Sequence, residues 1–172
     1  MTRRALLRTI ALSALIAPFA LSAQSAPAPA PHDSAHAAHA GMQSRGAEVM
    51  GVDQETSVHV FEALPAGGII ELQRASADTA GARVIRRHLR AIAQAFAIGD
   101  FGAPSYIHMT SVPGARVMAE RRNLIRYDYR ELPRGGALRI TTSDAVARKA
   151  IWDFIAFQRN EHMATESRRV EP

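Results

Sequence analysis

A five-residue pattern, Leu-Pro-x-Gly-Gly, occurs twice in this chain and constrains its fold more than any other feature. One copy starts at Leu64 and the other at Leu132. Glycine supplies backbone conformations open to few other residues, and proline fixes the first corner, so each copy predicts a β-hairpin turn. Strand-like alternation precedes each turn, over residues 56–63 and 124–131, and a helical apolar period follows it. The chain is therefore predicted to contain two β-β-α units.

Each unit ends in a helix with recognisable boundaries. The first helix is predicted to begin at a cap at residues 78–79 and to end at Gly99. The second is predicted to begin at a cap at residues 143–144 and to run to about Met163. Two hairpins and two helices most simply form a four-stranded antiparallel sheet with both helices on one face. The predicted fold class is α+β with an internal pseudo-repeat.

The segment that connects the two units is less regular. A short strand is predicted at residues 105–109, and a short helix at residues 117–122.

The first 23 residues have the order of a secretory signal peptide. Residues 1–8 are positive, residues 9–21 are apolar, and small residues end the segment at Ala23. The apolar run is short for a transmembrane span, so we expect cleavage after Ala23, with an uncleaved membrane anchor as the alternative. We expect export to the periplasm or beyond by the general secretory route, with no membrane association after cleavage. The pair Arg3-Arg4 leaves the twin-arginine route as an alternative.

Residues 24–48 are rich in alanine, proline and histidine and contain few large apolar residues. Such a composition predicts a disordered linker. Its histidines, His32, His36 and His39, are expected to be solvated, with weak metal chelation as the alternative. The remaining chain divides into one domain at residues 49–165 and a flexible tail at residues 166–172.

Charge and cysteine content exclude several function classes. The formal net charge is +5, and without the three arginines of the signal segment 18 basic residues face 16 acidic ones. This weak, interspersed charge does not indicate a nucleic-acid partner. There is no cysteine, so disulfides and thiolate sites are excluded. A metal site would have to use histidine, carboxylate, methionine or backbone oxygen.

The alternation in the second unit predicts which way the histidine of the first strand points. Tyr127 and Tyr129 alternate with charged residues, so the tyrosines should face the helices. Counting back from each turn, Tyr129 corresponds to Phe61 and Tyr127 to His59. His59 is therefore predicted to point inward beside Phe61.

Three more histidines complete a candidate metal site. His88 lies on the buried face of the first helix or at its border, because Ile85 and Ile92 flank it at helical spacing. His108 lies in the connector and His162 in the last turn of the second helix. Neutral imidazole is a good ligand for copper, zinc, nickel or haem iron. The alternative is a hydrogen-bonded core histidine or, for His162, a charge that complements the helix end.

Several short segments also carry a resemblance. They are Met50-Gly51-Val52-Asp53-Gln54, Val58-His59-Val60-Phe61, Gly99-Asp100-Phe101 with Pro104 and Ile107-His108, Pro113-Gly114, Met118, Ile125 with Tyr127, Gly135-Gly136, and Phe154-Ile155 with Phe157-Gln158 and Glu161-His162.

Over about residues 50–163 the chain resembles a family of small secreted bacterial proteins that contain histidine and have no established function. The resemblance implies metal binding in general. That family is richer in histidine, with further histidines where this chain has Val60, near Ala91, and where it has Trp152. These departures imply that this member binds metal differently, more weakly or not at all.

The leading functional prediction is an exported protein that binds copper or zinc, with haem as an alternative cofactor. His59 and His88 are the predicted primary ligands, and His108 and His162 the additional ones. Thioethers from the methionines would favour copper(I); the candidates are Met50, Met109, Met118 and Met163.

The alternative function is a non-catalytic interaction or dimerisation module. It would use the sheet face without helices, which carries Arg126, Asp128, Arg130, Arg139 and Thr141.

An enzyme is the less favoured class, because no nucleophile motif, P-loop or dinucleotide fingerprint is present. His108 paired with Asp100 or Glu120 is the only acid–base arrangement that the sequence suggests.

Overall fold

A computed structural model describes residues 31–162 of the chain, with side chains from residue 37. The predicted signal peptide, residues 24–30 of the predicted linker, and the predicted tail lie outside the described residues. In chain order the elements are α1 (Pro31–Met50), β1 (Ser57–Leu64), β2 (Gly67–Arg74), α2 (Thr79–Ala97), α3 (Gly102–His108), α4 (Ala115–Glu120), a 3-10 turn (Arg122–Leu124), β3 (Arg126–Leu132), β4 (Gly135–Thr141) and α5 (Ala145–Glu161).

The four strands form one antiparallel sheet in the order β1-β2-β4-β3, which confirms the predicted α+β class. Both Leu-Pro-x-Gly-Gly segments are hairpin turns, since each connects two antiparallel neighbours. β2 and β4 pair at the centre of the sheet. There Gly67 lies opposite Thr141, and Gly135 lies opposite Gln73. The two hairpins thus occupy equivalent places, while an internal sequence repeat stays a prediction.

The two predicted helices, α2 and α5, pack on the same face of the sheet, as predicted. α2 packs mainly on β4 and β3, whereas α5 packs mainly on β1 and β2. Each helix therefore covers the hairpin of the other unit. The core between helices and sheet is apolar, and its largest fully buried side chains are Phe96, Phe154, Ile85, Leu89, Met118, Leu138, Ile140, Ile151 and Ile155.

Side-chain caps fix the starts of both helices. A carboxylate oxygen of Asp78 accepts a hydrogen bond from the backbone N–H of Gly81, and one of Asp144 accepts from that of Ala147. These are the predicted caps. After α2, Gly99 adopts a left-handed conformation with φ +84°, as its predicted role requires.

The N-terminal segment differs from its prediction. Residues 31–48 were expected to be a disordered linker, but they belong to helix α1. Met42, Gly46 and Met50 are buried and recur every four residues, so α1 has an apolar stripe. Arg45 Nε also donates a 2.8 Å hydrogen bond to the backbone carbonyl of Ile107. Composition did not predict that this segment is buried, because only two of the stripe positions hold large apolar side chains.

The connector needs a second correction. The predicted strand at residues 105–109 is helix α3, while the predicted helix at 117–122 is confirmed as α4. Pro104 lies in the first turn of α3, where its missing N–H leaves no helical hydrogen bond unmade. A run as short as Ser105-Tyr106-Ile107-His108 does not distinguish a strand from a helix.

None of the helices in the described part of the chain is long and apolar enough to cross a membrane.

Candidate functional site

Two cavities lie beside the C-terminal end of α5, and histidines line both. The inner cavity, about 80 Å³, is bounded by His59, His88 and His162 among mainly apolar side chains. The outer cavity, about 560 Å³, is bounded by His39, His108 and polar residues of α1 and α5. The four histidines that the sequence singles out therefore lie in one region, and a fifth histidine joins them.

His59 lies on β1 and points toward the helices, on the same face as Phe61. This is the direction predicted from its correspondence with Tyr127. It pairs across the sheet with Leu72, a core residue. The centre of its ring lies 5.5 Å from that of His162. Burial, together with repulsion from His88, lowers the pKa of His59 to about 4.

His88 comes from α2 and lines the inner cavity, which fits its predicted position at the border of the buried helix face. Burial lowers the pKa of His88 to about 4, although a hydrogen bond with the Val49 backbone opposes the shift. That hydrogen bond also links α2 to α1.

His162 lines the inner cavity and His108 the outer one, and their ring centres lie 5.2 Å apart. Burial lowers the pKa of His162 to about 3, and repulsion from His59, His108 and His39 adds to the shift. Burial also lowers the pKa of His108, although its hydrogen bond to Gln158 and the nearby Glu161 carboxylate oppose the shift. Burial therefore favours the neutral form of all four imidazoles.

The hydrogen-bond partners of His108 define its free nitrogen. Its Nε2 lies 3.1 Å from the Oε1 atom of Gln158, an acceptor, so Nε2 carries the proton and donates. Its Nδ1 is then an unprotonated lone-pair donor, buried and without a hydrogen-bond partner among the described residues. The nearest charged atom is Glu161 Oε2, 3.8 Å away. Nδ1 of His162 is also buried and unpartnered there.

The ring separations suit shared coordination of one ion. A metal–nitrogen bond of about 2.0–2.1 Å places two imidazole rings on a tetrahedral ion with their centres roughly 5 Å apart. The pairs His108–His162 and His59–His162, at 5.2 and 5.5 Å, fall near that value. However, no group of three or more His, Asp or Glu side chains in residues 37–162 is already arranged to hold a metal ion. Binding would require at least one donor to move.

Three residues of this region, His39, Gln158 and Glu161, are not among the four predicted ligands. His39 was assigned to the linker, yet it lines the outer cavity with His108 and Glu161. A usable signal existed for Gln158, because it precedes His162 by four residues and so shares its helix face. Glu161 follows from the same helix once α5 is known to end there.

The methionines divide between the cavities and the core. Met50 lines the inner cavity and Met109 the outer one. Met118 is fully buried in the apolar core, and Met163 lies outside the described residues.

Val60, Ala91 and Trp152, at or near which the resemblance implies further histidines, do not line either cavity. Val60 is on the opposite sheet face from His59, and Ala91 is exposed. Trp152 Nε1 donates to the backbone carbonyl of Leu64, 2.9 Å away.

The acid–base pairs suggested by the sequence have other partners. Asp100 accepts a hydrogen bond from the backbone N–H of Gly102, and Glu120 pairs with Arg116. The polar side chains that contact His108 are instead Gln158 and Glu161.

Comparisons of the chain with protein families, with characterised proteins and with solved structures give no match.

Proposed function

We propose that this is an exported protein that binds one copper or zinc ion through neutral, buried imidazoles. His108 and His162 supply the first two ligands, and His59 and His88 line the cavity behind them. The supporting observation is the pair of buried Nδ1 atoms without hydrogen-bond partners among the described residues, on rings 5.2 Å apart.

A structural role alone leaves those nitrogens unexplained. A buried polar atom without a partner costs about 1–3 kcal/mol, so a core histidine normally has both nitrogens satisfied. Gln158 satisfies only Nε2 of His108. A cation at Nδ1 would satisfy the other nitrogen, while the hydrogen bond at Nε2 orients the ring, which is the usual arrangement of metal-binding histidine.

The lowered pKa values favour metal binding at neutral pH. A histidine must lose its proton before it binds a metal ion, so protons normally compete with the metal. Burial already keeps His59, His88 and His162 neutral, with pKa values of about 4, 4 and 3. The site would bind without releasing protons.

The donor set favours an ion over haem. Pockets for organic ligands usually measure about 300–1,000 Å³, and the inner cavity is far smaller, at about 80 Å³. The outer cavity has the volume, but its walls include Arg45, Asn160 and Glu161. Imidazole and carboxylate suit zinc and copper(II), and Met109 would add a thioether for copper(I).

The test uses the protein with its own N-terminal segment, recovered without a tag from the periplasm of a bacterial host. We expect about one equivalent of copper or zinc by elemental analysis and no haem absorption band. The double variant His108→Gln, His162→Gln should bind zinc at least about 100-fold more weakly, because both primary ligands are lost. The control is the exposed pair Gln94→Ala, Asn123→Ala, which should bind like the wild type.

Circular dichroism melting distinguishes lost binding from lost folding in these variants. The double variant His59→Ala, His88→Ala should weaken binding less than the His108, His162 pair. Wild-type protein that binds neither metal at micromolar concentration, or that carries haem, would overturn the proposal.

The open sheet face does not lead us to propose a second function. Its charges pair with one another: Arg130 lies 3.3 Å from Glu71, and Arg126 lies 2.8 Å from Asp128. Such exposed pairs are typical of a solvated surface.

A further inference from the structure

Helix α1 brings one more histidine to the proposed metal site. We propose that His39 is a third ligand, so that the bound ion fastens α1 to α3 and α5. This inference rests on the proposed function, because it adds a ligand and a structural consequence to the same site. The three ligands would come from three different helices.

The outer cavity places His39 with His108, one of the two primary ligands. His39 lines that cavity together with His108 and Glu161. It is also near enough to His162 to lower the pKa of that side chain. Three imidazoles with a nearby carboxylate make a donor set that zinc accepts readily.

A glutamine contacts His39, as one contacts His108, but through the nitrogen of its amide and not the oxygen. Gln43, one helical turn further along α1, has its amide nitrogen 3.2 Å from His39 Nε2, and its Oε1 is buried without a partner among the described residues. A 180° rotation of this amide would exchange its oxygen and nitrogen. Oε1 would then face His39 Nε2 and accept a hydrogen bond from it. Nδ1 of His39 would be left as the lone pair, as Gln158 leaves Nδ1 of His108.

The attachment of α1 explains how the site can close. Its hydrogen bonds to α3 come from its C-terminal half, where Arg45 donates to Ile107 and Tyr106 donates to Glu48. The described turn before Met42 contains only small side chains besides His39. Because no three donors in residues 37–162 already stand at ligand distance, movement of this end of α1 is the simplest way to bring His39 in.

Hydrogen exchange with zinc as the probe tests the inference on the full, untagged protein. In the wild type, zinc should slow amide exchange at residues 37–44 by at least about tenfold, since the ion ties this turn to the domain. His39→Gln should remove that protection and weaken zinc binding by at least about tenfold. Glutamine is a good helix former, so the metal-free variant should exchange like the metal-free wild type.

Ser44→Ala, at an exposed position of the same helix, is the matched control and should keep both the affinity and the protection. If His39→Gln binds zinc as tightly as the wild type and keeps the protection of residues 37–44, the inference is wrong while the proposed function stands. If the wild type binds neither zinc nor copper, the proposed function fails, and this inference fails with it.

Discussion

At the scale of single residues, Gln158 determines which nitrogen of His108 is available. The amide oxygen can only accept, so its 3.1 Å contact holds the proton on Nε2. Gln158 is itself only 5% exposed, so solvent does not compete for that hydrogen bond. A glutamine thereby acts on the proposed metal site without contacting the ion.

Replacing Gln158 with methionine tests this role. Methionine has a similar length but offers no strong acceptor, so His108 loses its orientation and its fixed tautomer. We expect zinc affinity to fall by about 10-fold to 100-fold, the usual cost of losing such a partner. Gln94→Met, on the exposed surface of α2, should leave it unchanged. Titration against a coloured chelator measures both, and equal affinities would contradict the role.

The sequence predicts the side-chain direction of His59 well, but it does not predict the hydrogen bonding of His108. The alternation of the second unit, transferred to β1 by counting back from each turn, places His59 beside Phe61, and their ring centres lie 6.5 Å apart. The Gln158 contact joins residues 50 positions apart, on helices whose relative placement depends on the whole fold. Local periodicity contains no information about that placement.

At the scale of elements, the two hairpins depend on glycine at the centre of the sheet. A Cβ atom on Gly135 would lie 1.9 Å from the carbonyl oxygen of Leu72, and one on Gly67 would lie 2.1 Å from that of Ile140. Gly67 has φ +149°, whereas Gly135 does not adopt a positive φ. Turn chemistry predicts glycine at position 67, where φ is positive. Glycine at position 135 is required because the backbone of β2 approaches it closely.

Gly135→Ala should therefore destabilise the protein, because the backbone of β2 must move away from the new methyl group. We expect a loss of about 2–3 kcal/mol in the free energy of unfolding, in the range for overpacking. Gly102→Ala is the control, since the atom nearest to its Cβ is Asp100 Oδ1, 3.1 Å away on an exposed side chain. It should change stability by less than about 0.5 kcal/mol. Urea unfolding measures both, and similar losses would contradict the argument.

Two elements escaped sequence prediction for a shared physical reason. α1 and α3 pack on each other, and the sequence pattern of each is weak. The buried stripe of α1 consists of Met42, Gly46 and Met50. Composition alone gives only a weak indication that such a segment is a buried helix. α3 is only seven residues long. Tertiary packing decides such segments, whereas α2 and α5 show their own period and caps.

At the scale of the whole molecule, the crossed packing of helices on hairpins assembles the histidines. α5 covers β1 and ends at residue 161, so it carries His162 to His59. α2 supplies His88 and α3 supplies His108. Burying these imidazoles as neutral groups makes the stability of the whole domain depend on pH, whether or not metal is bound.

The direction of that dependence follows from the pKa values. Unfolded histidine titrates near 6.5, whereas folded His59, His88 and His162 titrate at about 4, 4 and 3. Below pH 6.5 the unfolded chain therefore binds more protons than the folded one. The contribution of these histidines to the free energy of unfolding is therefore fully present above that pH. It decreases as the pH falls toward their folded-state pKa values. Each histidine contributes about 1.4 kcal/mol per pH unit in this window.

Between pH 7.5 and 5.5 the metal-free protein should thus lose about 4 kcal/mol of unfolding free energy from these three histidines, a large part of a typical total of about 5–15 kcal/mol. His59→Phe should reduce the loss by about 1.4 kcal/mol, since one titrating group is gone and an aromatic ring still fills the space beside Phe61. Leu72→Val, a change opposite His59 that removes no titrating group, should lower stability equally at both pH values. Urea unfolding at the two pH values measures all three proteins. If His59→Phe loses as much stability as the wild type on acidification, His59 is not a buried neutral group, and the assembly of histidines described above is wrong at that position.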